Sequence, residues 1–271
     1  MRQEKIITKE QLKHIIKKFN INVQINHCII LENGMIDVDG SVKITNTSLK
    51  KLPLRFRKVN GDFYCHANKL EMLKGVPDSV TGDFNCSNNQ LTSLNGAPGF
   101  VGRDFACHEN LLTSLKGCPQ HIKGNFNAFL NQITTLNGSP QIIEGNCSLF
   151  KNRLISLESG PKYVGGSLHV TGNLLRNLVG IPSYIGNTVS IDSGISVDMG
   201  NKSCNVQRVT IEIQNKRNKT DLSSPHLLIE KHRNLLHIVF RYMNYLDIFT
   251  NGNFNQANFE DIIYDIKSGL R

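Results

Sequence analysis

At 271 residues, 39% of them hydrophobic and 20% charged, the chain is long enough for one large domain or two small ones, and it is too apolar for a disordered tail. The formal charge of +9 is uneven: residues 1–60 carry 12 basic and 5 acidic side chains, residues 61–192 carry 9 of each, and residues 193–271 carry 10 and 8. A uniformly basic coat for nucleic acid is thereby excluded, whereas a basic N-terminal patch is not.

The first residues mix Lys and Arg with no apolar stretch of signal-peptide length, and no later segment reaches the roughly 18 apolar residues of a membrane span. Thr8-Lys9-Glu10-Gln11 reads as a capping box, with Ile7 and Leu12 placed for a hydrophobic staple. Leu12, Ile15, Ile16 and Phe19 mark one apolar face of the helix that follows. Cys28–Leu31 and Met35–Val38 read as strands joined by Asn33-Gly34, the signal of a type I′ turn. Residues 1–37 are therefore expected to form an N-terminal cap of helix and hairpin.

From residue 38 the chain repeats every 21 residues without an insertion. One register holds Val38, Val59, Val80, Val101, Ile122, Ile143, Val164 and Ile185, and another holds Asn68, Asn89, Asn110, Asn131, Asn152 and Asn173. Two Leu registers (Leu70, Leu91 and Leu112; Leu73, Leu94 and Leu115) and one Pro register (Pro77, Pro98 and Pro119) keep the same step. Such periodicity signifies a solenoid of stacked coils. Phe84 and Cys86 alternate with polar neighbours, the pattern of a short half-buried strand, and their equivalents are Phe63/Cys65, Phe105/Cys107, Phe126/Ala128 and Cys147/Leu149. Because Cys exchanges with Ala and Leu there, it reads as a buried apolar position, with a cysteine metal stack as the sharper alternative. The seven cysteines form an odd set without a C-x-x-C pair, which points to a reducing cytoplasm. The Asn of each repeat turns the chain and offers both a donor and an acceptor to adjacent coils. Gly-x-Pro then enforces an extended return. Residues 38–192 give about eight coils.

After the coils, Val209, Ile211 and Ile213 alternate in a further strand, and a charged loop spans Lys216–Lys219. Ser224-Pro225 reads as N-cap and first helical residue of one long amphipathic helix carrying Leu228, Leu235, Val239, Met243 and Leu246. Asn251-Gly252 ends it, and Asn258 opens a last helix with Phe259, Ile262, Ile263 and Ile266. Residues 193–271 are a strand plus a mainly helical C-terminal cap, or a small module.

The wording G-D-F-x-C-S-x-N-x-L-T-S-L-x-G-x-P resembles the leucine-rich repeat, with Phe and Cys in place of strand leucines. The length and the Pro-containing return are similar to the short bacterial effector class, and the wording is nearer still to uncharacterised repeat proteins of large tailed bacteriophages. The resemblance implies parallel short strands on one face of a solenoid, with a mostly irregular return. It departs from the effector class where Leu-x-Gly-x-Pro replaces Leu-Pro-x-Leu-Pro, so that class's ubiquitin-ligase activity does not carry over.

Alternate strand residues form outward columns across a face about 34 Å long at about 4.8 Å per strand. Asp62, Asp83 and Asp104 head the first column, and either attract a basic partner or hydrogen-bond locally at the strand starts. Tyr64 and His169 stand in the second, His66, His108, Phe129 and Phe150 in the third, and Leu130 and Lys151 in the fourth. Phe129, Leu130 and Phe150, beside Lys151 and Arg153, have the composition of a protein-binding hot spot, or else fold onto the tail. His66 and His108, about 10 Å apart, lie too far from each other to share a metal ion held at ligand distances of about 2 Å. No nucleophile–base arrangement or phosphate-cradling loop is present, so the expectation is a non-enzyme without metal or cofactor. The expected partner is a macromolecule, a protein before a nucleic acid and in a phage a host factor to be inhibited or redirected, held in the cytoplasm and not at a membrane. The competing reading is nucleic-acid binding by Lys13, Lys17 and Lys18 on the first helix and Lys50, Lys51, Arg55, Arg57 and Lys58 in the first coil.

Overall fold

The computed structural model describes residues 7–200, 202–212, 224–250 and 252–269. Its centre is a parallel β-solenoid of about eight turns. Each turn contributes two short strands, where the sequence pattern suggests one. The expected ladder runs through Val42–Lys43, Phe63–Tyr64, Phe84–Asn85, Phe105–Ala106, Phe126–Asn127, Cys147–Ser148 and Leu168–His169, every pair parallel and shifted by one repeat. A second ladder lies just upstream, on the β-branched register: Phe56–Val59, Ser79–Val80 and Phe100–Val101, then His121–Ile122, Ile142–Ile143 and Tyr163–Val164. The two ladders merge at Tyr184–Asp192, one long strand that pairs with both, and Asn205–Glu212 adds in parallel beyond it.

Between the ladders the chain bends tightly. A Cβ on Gly145 would stand 2.7 Å from the carbonyl carbon of Gly124 one coil back, so the two coils approach here more closely than a side chain at Gly145 allows, whereas the same register in an earlier coil holds Arg103. Inside, the strand residues form a continuous core: Phe63, Phe84, Phe105 and Phe126 stack coil on coil, wholly buried, with ring centroids 5.2–6.1 Å apart. Cys65, Cys86 and Cys107 lie in the same core as free thiols, which agrees with an apolar role for the position, and Cys147 is buried likewise in the Phe register. Burial pushes the Cys65 thiol up to about 12. Leu70, Leu91 and Leu112, with Leu73, Leu94 and Leu115, fill the opposite wall.

The asparagine register ties the coils together. Asn89 accepts from the Leu70 N–H (2.9 Å) and donates to the carbonyls of Cys65 (3.0 Å), Cys86 and Ser87 (both 3.1 Å), so that one side chain bonds to two coils. Asn110, Asn131 and Asn152 repeat this arrangement.

Before the coils, α1 (Lys9–Lys18) has the expected capping box, Gln11 N–H to Thr8 Oγ1 at 3.2 Å and Thr8 N–H to Gln11 Oε1 at 2.9 Å, and it buries Leu12. The hairpin Cys28–Ile30/Ile36–Val38 forms, but its turn differs from the expectation. Leu31 and Met35 bond across a three-residue loop in which Gly34 alone is left-handed (φ 74°), whereas a type I′ turn needs Asn33 there as well.

After the coils, the long helix expected from residue 225 is broken. It consists of α2 (Ser224–Lys231), a 3-10 turn Arg233–Leu235, α3 (Leu236–Tyr242) and a second 3-10 turn Met243–Tyr245. The breaks turn Leu236, Val239, Phe240 and Met243 into the core beside the last strand, where the Cys204 N–H meets the Phe240 carbonyl at 2.9 Å. Whether an N-cap precedes Ser224, and the expectations for Ile213, Lys216–Lys219 and Asn251, lie outside the described residues. Phe249–Thr250 and Asn253–Phe254 form a small hairpin. α4 (Gln256–Ser268) starts before the expected Asn258, because Asn255 is its N-cap and receives the Asn258 N–H at 3.2 Å. No helix among the described residues is long and apolar enough to cross a membrane.

Candidate functional site

The outward side of the F-x-C ladder carries the residues singled out from sequence. Its acidic column is engaged within the protein. Asp62 accepts from the Asp83 N–H (3.0 Å), Asp83 from the Asp104 N–H (3.2 Å) and Asp104 from the Asn125 N–H (2.7 Å), and Asn125 and Asn146 continue the series. Arg103, overlooked in the sequence, spans two coils to reach Asp62 (2.6 Å) and Asp83 (3.2 Å). Burial alone would raise the Asp62 carboxyl, but the Asp83 N–H and the Arg103 guanidinium outweigh it and hold it below its ordinary value. The local role of this column is the observed one.

Tyr64 donates to Asp83 (3.1 Å), packs edge-on against His66 and lies under Lys43 Nζ, 5.4 Å from the ring centre. Burial, the Asp62 charge and the bond to Asp83 all push its phenol up. His169 stands half-buried between Ser148 and Ser190 on the neighbouring strands.

In the third column His108, Phe129 and Phe150 form a continuous stack, with centroids 4.2 and 4.6 Å apart and planes within 8° and 10° of parallel. The phenylalanines therefore support each other and stay half-buried on the ladder. Leu130 beside them is 41% exposed, and Lys151 and Arg153 are exposed. Ser87 and Asp192, which hold the same register in their coils, are buried; the Asp192 carboxylate accepts the Gly172 N–H at 2.9 Å. The fourth column has a property the sequence did not signal. Ala67, Asn88, Glu109, Leu130 and Lys151 are all left-handed, with φ between 50° and 54°, held there as each N–H reaches a carbonyl of the next coil.

No protein-family model, curated protein or solved structure matches the chain.

His66 and His108 bracket buried Ser87, and each has a buried Nδ1 without a hydrogen-bond partner. Glu109 stands 3.4 Å from His108 Nδ1. Burial, then the charges of His108 and Lys43, lower the His66 pKa; burial lowers that of His108 against the opposing pull of Glu109. With folded values below the unfolded value of about 6.5, the unfolded chain binds more protons. The stability these imidazoles contribute is complete above that value and is lost as pH falls through it toward the folded pKa. Urea unfolding should therefore show stability declining between about pH 7 and pH 5, and His66→Gln/His108→Gln should flatten that slope; an unchanged slope would place the loss on other groups.

The basic residues of the competing reading are dispersed. Lys13 pairs with Glu10 (2.9 Å), Lys50 with Glu71 (3.1 Å), and Arg57 with Asp37. Lys17 and Lys18 are exposed on α1, and Lys18 Nζ lies 5.3 Å from the Phe19 ring centre. Lys58 is exposed on the upstream ladder, while Lys51 and Arg55 line a cleft of about 450 Å³ with Lys74.

A second exposed strip was not anticipated. On the upstream ladder Phe100, His121, Ile142, Tyr163 and Tyr184 all face solvent; Tyr163 and Tyr184 stack at 4.9 Å, and His121 pairs with Glu144 at 2.7 Å. These residues directly precede the β-branched register, and that position was the available signal.

Proposed function

We propose that the chain is a non-enzymatic interaction module of the leucine-rich-repeat type that holds a protein partner on the outward face of its F-x-C ladder. The observation that carries this reading is the stack of His108, Phe129 and Phe150, flanked by exposed Leu130, Lys151 and Arg153. Stacked rings are pre-ordered, so a partner that covers them forfeits little side-chain entropy there. Aromatic side chains and Arg are enriched in the cores of protein interfaces, and a polar rim surrounds them. The L-x-x-L core and the asparagine ladder support the repeat type. On this reading the α1-hairpin segment and the C-terminal helices are caps that seal the solenoid ends. The similarity of the repeat wording to that of large tailed phages makes a host protein, inhibited or redirected in the cytoplasm, the partner we favour over nucleic acid. The internal ion pairs of Lys13, Lys50 and Arg57 weigh in the same direction.

Affinity purification with the full chain as bait tests this reading. A partner retained by the wild type should be lost with Phe129→Ala/Phe150→Ala while the circular dichroism spectrum stays the same. A partner retained equally by the folded double variant would move the site elsewhere, with Phe100→Ala/Tyr163→Ala as the next pair to compare.

A further inference from the structure

A third surface lies at the opposite end of the molecule from α1, where the last strand meets the helical segment. Asn205–Glu212 pairs with Tyr184–Asp192 along one edge. Against it pack α3 and the 3-10 turn before it. Between strand and helix lies a cleft of about 410 Å³, within the range of small-ligand sites. Gln207, Arg208 and Thr210 line it from the strand, and Arg233, Asn234 and His237 from the helical side, with Val209 and Ile211 completing the wall. Arg233 and His237 are four residues apart and share one helical face. Among the described residues the lining includes no carboxylate, and neither arginine has an ion-pair partner.

The donor set fixes the class of ligand. Two guanidinium forks, an imidazole, two amides and a hydroxyl supply more N–H and O–H groups than the two oxygens of a carboxylate can accept. A phosphate monoester presents three terminal oxygens in a tetrahedral array, and guanidinium groups bind two of them side by side. The apolar wall leaves room for the organic part of the ligand.

We propose that this cleft binds the phosphate group of a small phosphorylated molecule. The site is independent of the ladder face, since none of its residues belongs to the His108–Phe129–Phe150 stack.

Isothermal titration of the full chain with pyrophosphate at fixed ionic strength tests the proposal. Saturable binding is expected, weakened about tenfold or more by Arg208→Gln and by Arg233→Gln and left unchanged by Lys116→Gln, at an exposed position outside both sites. Both arginines are exposed, so the variants should keep the wild-type melting temperature. Arg208→Lys and Arg233→Lys retain the charge and lose the fork, and they should still weaken binding. Equal affinity in all variants, full rescue by Lys, or no saturation at millimolar pyrophosphate would each overturn the proposal. So would tighter binding of a short single-stranded oligodeoxynucleotide with the same sensitivity to both Gln variants, since that would make the cleft part of a nucleic-acid track.

Discussion

Asn110→Ala should destabilise the protein by about 3 kcal/mol, far more than its side-chain volume suggests, because the substitution strands backbone groups in two coils at once. Asn110 is 6% exposed. Its Oδ1 accepts the Leu91 N–H at 3.0 Å, and its Nδ2 donates to the carbonyls of Cys86 and Cys107, both at 3.1 Å. Alanine leaves these groups in a dry interior, where each unsatisfied one costs about 1–3 kcal/mol. Asn110→Asp is the informative companion. It keeps the acceptor for Leu91 but faces two carbonyl oxygens with a carboxylate, so it should cost at least as much as alanine. Gln90→Ala, at an exposed position on the preceding coil, should stay within about 0.5 kcal/mol of wild type. Urea unfolding midpoints at constant slope measure all three. A loss for Asn110→Ala as small as that for Gln90→Ala would mean that the coils are held by their apolar contacts alone.

The asparagine ladder was legible in the sequence because every coil meets the same neighbour at the same offset, so identical bonds select identical residues at a step of 21. The Phe and Cys positions were legible for the same reason. The upstream ladder was not. In strands such as Ser79–Val80 and Tyr163–Val164 only the inward β-branched member repeats, and the residue before it changes from half-buried Ser79 to exposed Phe100, His121, Ile142 and Tyr163, so no second repeating position marks the strand. The left-handed column was hidden likewise. Ala67, Glu109 and Lys151 adopt φ above 50° because inter-coil bonds impose it, against the preference of each residue. In the helical tail the apolar spacing survives both breaks, so periodicity alone read one helix where the strand it packs on demands several short ones. At the candidate site, the register brought Phe129 and Phe150 together in the sequence. The parallel stack with His108 depends on ring orientation, and the tie from Arg103 to Asp62 crosses two coils through a long flexible side chain. Neither leaves a mark in the pattern.

Phe105→Ala is the second large expected loss, at about 3–5 kcal/mol. The ring is wholly buried and lies 5.2 Å from Phe84 and 5.8 Å from Phe126, with no free surface onto which the core can relax. The solenoid also dictates how such losses combine. Phe84 and Phe105 touch, so either truncation removes the ring contact that both would lose. The double variant should therefore be less destabilised than the sum by about 0.5–1.5 kcal/mol. Phe63 and Phe126 are three coils apart, about 14 Å at the strand spacing, and share no ring contact. Their losses should add to within about 0.5 kcal/mol, and Phe→Leu replacements keep that pair folded enough to measure. Strong coupling between the distant pair, equal to that between Phe84 and Phe105, would mean that the coils unfold through a shared core rearrangement. Coupling confined to adjacent coils would show that each turn is stabilised by its immediate neighbours. The segment around the His108–Phe129–Phe150 stack could then loosen on its own, and a partner that covers it would stabilise that segment more than the ends.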